Sequence, residues 1–86
     1  MITGTSRPWT NWEATLLRMY VVRVKIFEYV KYRPSTFSCD GAMLNSVSVK
    51  ALRRRYLVER TKNDGRGKIT WSLTDKGRAL AKELLA

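Results

Sequence analysis

Residues 57–84, LVERTKNDGRGKITWSLTDKGRALAKEL, carry two short β-prone stretches, a glycine-bearing reversal and a helix start in unbroken succession from Leu57 to Leu84. Leu57-Val58 and Ile69-Thr70-Trp71 are aliphatic, β-branched or aromatic, the side chains that suit a pleated surface. Between them Asn63-Asp64-Gly65-Arg66-Gly67 supplies residues that tolerate positive φ, so the chain reverses and the two strands pair as a hairpin. Its tip carries Lys62, Arg66 and Lys68. Thr74 then stands where its hydroxyl caps free backbone N–H groups, and Asp75 is favourable at the positive end of the helix dipole. A last helix is expected from about Asp75 onward. On it Gly77, Leu80 and Leu84 share one face, and Ala81 and Leu85 lie on an adjoining one that suits packing against another helix.

Upstream, Met1 to Pro8 is polar and ends in Arg7-Pro8, and residues 1–9 read as a flexible arm before a domain of residues 10–86. Thr10-Asn11-Trp12-Glu13 matches a capping box. Trp12, Leu16, Tyr20, Val24, Phe27 and Val30 or Lys31 recur at steps of three and four, which predicts one long helix ended by Arg33-Pro34-Ser35. Thr36–Cys39 suits a minor strand pairing with the hairpin. Asp40 can cap a helix beginning at Gly41, and Ala42 to Arg55 holds no proline. That span reads as one helix, or as two short ones divided at Asn45-Ser46.

The order Leu-Val-Glu-Arg, glycine-bearing hairpin, Leu-Thr-x-x-Gly resembles winged helix-turn-helix regulators of the MarR-like and archaeal kinds. The resemblance implies an α+β fold of three or four helices with a two- or three-stranded β-wing, and a role in binding double-stranded DNA as a transcription regulator. A chain this small gains stability by association, and a homodimer is expected through Trp12 and Leu16 of the first helix with Ala81 and Leu85 of the last. The interval between Pro34 and Leu52 is shorter than in that family, so the second helix is expected to shrink to Asp40 through Asn45. Tyr56 stands where the family has glycine. A non-glycine residue in a left-handed cap costs roughly 1 kcal/mol, so another geometry is expected at this helix end.

Charge points the same way. Seventeen Lys and Arg against seven Asp and Glu in 86 residues leave +10 and a pI near 10.4, a balance that favours polyanionic partners. Histidine is absent and Cys39 is alone, which removes the commonest general base, the commonest metal boxes and any internal disulfide. No metal, no cofactor and no enzymatic activity are expected. No apolar run is long enough to span a bilayer, so no membrane association is expected and a soluble, cytoplasmic protein is. No effector ligand is identified by the sequence.

Wound at about 100° per residue, residues 41–55 bring Ser46, Lys50, Arg53 and Arg54 into a single arc, with Met43 in the same arc. In a major groove Arg and Lys can pair with guanine, Ser with several bases, and Met can touch a thymine methyl. Arg60, Lys62, Arg66 and Lys68 form a second cluster suited to phosphates, Arg66 being the candidate for the minor groove. Residues 50–68 hold eight of the seventeen cations. Trp9, Trp12, Tyr20, Phe27, Tyr29 and Tyr32 are able to stack unpaired bases, but helical spacing assigns Trp12, Tyr20 and Phe27 to the core or a dimer contact. Trp71 is expected against the last helix, and Thr3, Thr5, Ser6 and Arg7 in the arm can reach a phosphate. Rival readings are a sequence-tolerant architectural or RNA-binding protein, and a protein-interaction module of transcription or replication machinery.

Overall fold

In the computed structural model, which describes residues 8–31 and 36–86, the first helix starts at the expected capping box. Thr10 caps α1 (Asn11–Val22): the Glu13 N–H donates to the Thr10 hydroxyl at 3.4 Å, and the Thr10 N–H donates to the Glu13 carboxylate at 2.9 Å. The end differs. Arg23 takes a left-handed φ of 64°, and the chain enters β1 (Ile26–Tyr29) instead of continuing as helix. Residues 26–29 pair with a strand on each side, and this double pairing wins over the three- and four-residue spacing that suggests a longer helix. The expected helix end at Arg33-Pro34-Ser35, Tyr32 and residues 1–7 of the arm lie outside the described residues.

β2 (Thr36–Cys39) and β3 (Ala42–Leu44) form a hairpin turning on Asp40 and Gly41, both at positive φ, 54° and 79°. Two residues at positive φ match the right-handed twist of paired strands, the reason Asp-Gly favours such turns. Asp40 is therefore not a helix cap, and residues 40–45 are not an abbreviated second helix. The Asp40 carboxylate instead accepts from the Arg18 guanidinium at 2.7 Å. α2 (Ser46–Arg54) opens at Asn45, whose side-chain oxygen accepts the Val47 N–H at 2.8 Å. Asn45-Ser46 thus divides a strand from a helix.

β4 (Val58–Asn63), β5 (Lys68–Leu73) and α3 (Asp75–Leu85) complete an α+β fold. The five strands run β3-β2-β1-β5-β4, each pair antiparallel. β2 pairs with β1 and not with the basic hairpin, and β1 joins the two hairpins into one sheet wider than the expected two or three strands. Ile26 lies opposite both Cys39 and Trp71, and all three are buried. With Leu16, Met19, Val49, Leu52 and Leu57 they form the core beneath the helices, each large aliphatic side chain contributing about 2 kcal/mol of burial. Leu16 and Ala81, expected at a dimer contact, are fully buried within the single chain. They pin α1 and α3 to this core.

The end of α2 departs from expectation in the opposite sense. Tyr56 does take the left-handed conformation, at φ 59°. The Leu57 N–H donates to Leu52 O and the Tyr56 N–H to Arg53 O, both at 3.0 Å, the paired bonds of a Schellman ending with Leu57 and Leu52 packed beneath it. Tertiary contacts hold a residue that local preference rejects: the Thr74 hydroxyl donates to Tyr56 O at 2.7 Å, and the Thr74 N–H donates to Leu57 O at 3.0 Å. Tyr56→Gly is expected to raise stability by about 1 kcal/mol, read as a higher midpoint in urea at unchanged slope.

Candidate nucleic-acid interface

α2 separates its residues by side. Ser48, Val49 and Leu52 are buried, while Val47, Lys50, Arg53 and Arg54 are exposed and Ser46 is half-buried. The four expected residues thus share the outward side. Val47, 69 % exposed, joins them, and at spacings of three and seven it lines up with Lys50 and Arg54. A helix start expected at Gly41 hides Val47 in the sequence; with Asn45 as cap, Val47 falls in the first turn. Met43 is 72 % exposed, but on β3 rather than on the helix. No carboxylate occurs from Ser46 to Arg55.

Trp71, expected against the last helix, carries the Arg53 guanidinium 4.7 Å from its ring centre and that of Arg60 at 5.8 Å. Its indole N–H donates to the Glu28 carboxylate at 3.0 Å. A guanidinium lying on a ring keeps its in-plane N–H groups free and has already lost rotamer freedom, a suitable state for two-pronged recognition of guanine or phosphate. Trp71 thereby links α2 to β4. Arg55 has a different task, with its guanidinium 4.5 Å from the Trp12 ring centre and donating to Ala51 O at 3.1 Å. It ties the end of α2 to α1.

The hairpin cations are not one cluster. The register of β4 against β5 shifts between Arg60 and Lys62, so that Arg60 faces Trp71 whereas Lys62 faces Thr70. Without this bulge, residues two apart would point the same way. Arg60 therefore joins α2 on the helix side. Lys62 and Lys68 occupy the opposite side of the sheet, and Lys68 Nζ stands 4.4 Å from the Phe27 ring centre. Lys31 is a further cation beside the tip: the Val30 N–H donates to Gly67 O at 2.8 Å, and a Cβ on Gly67 would stand 3.0 Å from Lys31 Cγ. Read as part of a helix, it was missed.

The tip that presents Arg66 is internally bonded. Asn63 accepts from the Gly65 N–H at 2.9 Å, and the Asp64 carboxylate accepts from the N–H groups of Arg66 at 2.7 Å and Lys68 at 3.1 Å. These bonds, the Arg66 N–H first, and the nearby cations hold the Asp64 carboxyl below its ordinary 3.8. A depressed folded value means the charged form favours the ordered tip, so order is present above the unfolded value and lost as pH falls through the folded one. The Arg66 and Lys68 amide proton shifts are expected to titrate together with a midpoint below 3.8, and Asp64→Asn to abolish that step.

Among the described residues no group of three His, Cys, Asp or Glu can hold a metal, and no helix is long and apolar enough to cross a membrane. Cys39 is buried, and desolvation pushes its thiol pKa up. Comparison with protein-family models, with curated proteins and with solved structures gives no match.

Proposed function

We propose that the chain is a double-stranded DNA-binding protein, acting in the cytoplasm as a transcription regulator. In this reading α2, β4, β5 and α3 form a winged-helix unit in which the β2–β3 hairpin replaces the second helix of a helix-turn-helix. α2 enters the major groove with Ser46, Lys50, Arg53 and Arg54, Val47 meets thymine methyl groups, and Arg60 and Arg66 hold the backbone or minor groove. The supporting observation is the carboxylate-free outward side of α2, joined to the hairpin through Arg53 and Arg60 on one indole ring. A two-fold dimer remains part of the proposal. Its expected contact is now reduced to Trp12 and Leu85, the latter 50 % exposed.

The test is enrichment from a pool of random duplexes at two salt concentrations. A two-fold motif with half-sites about 10 bp apart, or a multiple of that turn, supports a dimeric regulator. Motif-free binding of equal salt slope supports the sequence-tolerant reading, and absence of binding at moderate salt overturns both.

A further inference from the structure

The sheet has two faces, and the buried apolar residues of its strands, Ile26, Phe37, Cys39, Val58, Ile69 and Trp71, lie on the one that the helices cover. On the other face the strand register sets Met43, Ser38, Phe27, Thr70 and Lys62 side by side. Phe27 is half-buried there, on the central strand β1. It lies between two clefts. One is also lined by Lys62, Asp64, Lys68 and Thr70, the other by Arg23, Val24, Lys25, Asp40 and Gly41. Both carboxylates are already engaged, Asp64 by backbone N–H groups and Asp40 by Arg18. Four cations thus flank one aromatic ring from two sides. The ring meets a flexible Lys68 ammonium, which a flat ligand can displace toward its own phosphate.

We propose that this open face binds single-stranded DNA, with an unpaired base stacked on Phe27 and the adjoining phosphates held by Lys62 and Lys68 on one side and by Arg23 and Lys25 on the other. An aromatic side chain on a sheet with a positively charged groove around it is the combination that unpaired polynucleotides require, because every base has a π-face and every linkage a charge. Apolar peptides would leave four cations unmatched. DNA is the favoured strand because Lys62 and Lys68 belong to the hairpin assigned to duplex. A strand unpaired from that duplex is delivered to them, and this last step rests on the proposed function.

The experiment measures binding of a labelled oligothymidylate of about 12 nucleotides to the full chain, in parallel with a blunt duplex. Phe27→Leu, which keeps an apolar side chain on β1 but cannot stack, is expected to weaken the oligothymidylate complex roughly tenfold or more while leaving duplex affinity within about twofold. Lys50→Ala with Arg54→Ala is expected to do the reverse. Circular dichroism of Phe27→Leu checks the fold, and Lys25→Ala with Lys62→Ala gives a second pair outside the apolar core, expected to weaken the same complex and flatten its salt slope. Unchanged oligothymidylate binding in both variants overturns the site. So does equal loss from the α2 pair, which would assign unpaired strands to α2, and tighter binding of oligouridylate overturns the choice of DNA. Failure of duplex binding with oligothymidylate binding intact would remove the proposed function and leave this site standing.

Discussion

Gly77→Ala is expected to destabilise the chain by about 3 kcal/mol and to lower its melting temperature by more than about 10 °C, although alanine is the better helix former. Two effects oppose each other. Helix propensity favours alanine over glycine by at most about 1 kcal/mol in a helix interior, and less near an end. Against this, a Cβ at Gly77 would overlap Leu57 O and stand 3.3 Å from Leu73 Cδ2. The first neighbour is backbone, and it already accepts the Thr74 N–H at 3.0 Å, so moving it weakens the bond that joins α3 to the end of α2. Steric conflict therefore outweighs propensity. Ala79→Gly, at an exposed position on the same helix, supplies the control: it is expected to lose about 1 kcal/mol from propensity alone. Calorimetry on the two variants separates the terms. A Gly77→Ala chain as stable as the parent would mean that α3 does not approach Leu57 this closely.

The same few atoms explain why Leu-Thr-x-x-Gly was readable. Thr74 caps α3 by accepting the Gly77 N–H at 2.9 Å, and Gly77 lets the helix start press on Leu57. The approach to Leu57 is long-range, whereas the cap acts within four residues. So does the capping box at Thr10, and so does the tip from Asn63 to Lys68. The starts of α1 and α3 were therefore located from sequence to within a residue or two, and the β4–β5 hairpin was placed although β4 runs on to Asn63, beyond the expected Leu57-Val58.

What stayed hidden was non-local or double-valued. Val24, Phe27 and Val30 fit a helical stripe as well as a strand, and pairing of β1 with two partners decided between them. Asp40 was legible as a helix cap, yet Asp-Gly is also a preferred two-residue hairpin turn, and Thr36–Cys39 and Ala42–Leu44 on either side complete that alternative. The error carried through to Phe27, which moved from an expected core stripe to the open face of a sheet. The division of the hairpin cations was beyond any single-strand pattern, because a bulge is a property of two strands in register. Ser46, Lys50, Arg53 and Arg54 did share one side of α2, since four residues within nine depend only on helical pitch.

Lys50→Ala and Arg54→Ala are each expected to reduce affinity for an enriched duplex by roughly 5- to 150-fold, the range for loss of a good base contact, and to relax preference at one position of the site. The size follows from what each side chain can touch. Both are exposed on a helix side that holds no carboxylate, and among the described residues neither has an ion-pair partner to compete with DNA. Arg53 is different, because its guanidinium rests on Trp71 together with that of Arg60. Arg53→Ala removes a base or phosphate contact and also half of the link between α2 and β4, so its effect is expected to exceed that of Arg54→Ala on specific duplex. Trp71→Phe separates the two roles: it keeps a ring for the guanidinium but cannot donate to Glu28, and should fall between parent and Arg53→Ala. Arg66→Ala at the tip touches backbone or minor groove, and is expected to weaken enriched and random duplexes alike while lowering the salt slope by about 1. Titrations of all five variants at two salt concentrations distinguish base readers from charge neutralisers. A uniform loss across enriched and random duplexes for Lys50→Ala and Arg54→Ala would make α2 a phosphate-holding helix and move the chain to the sequence-tolerant reading.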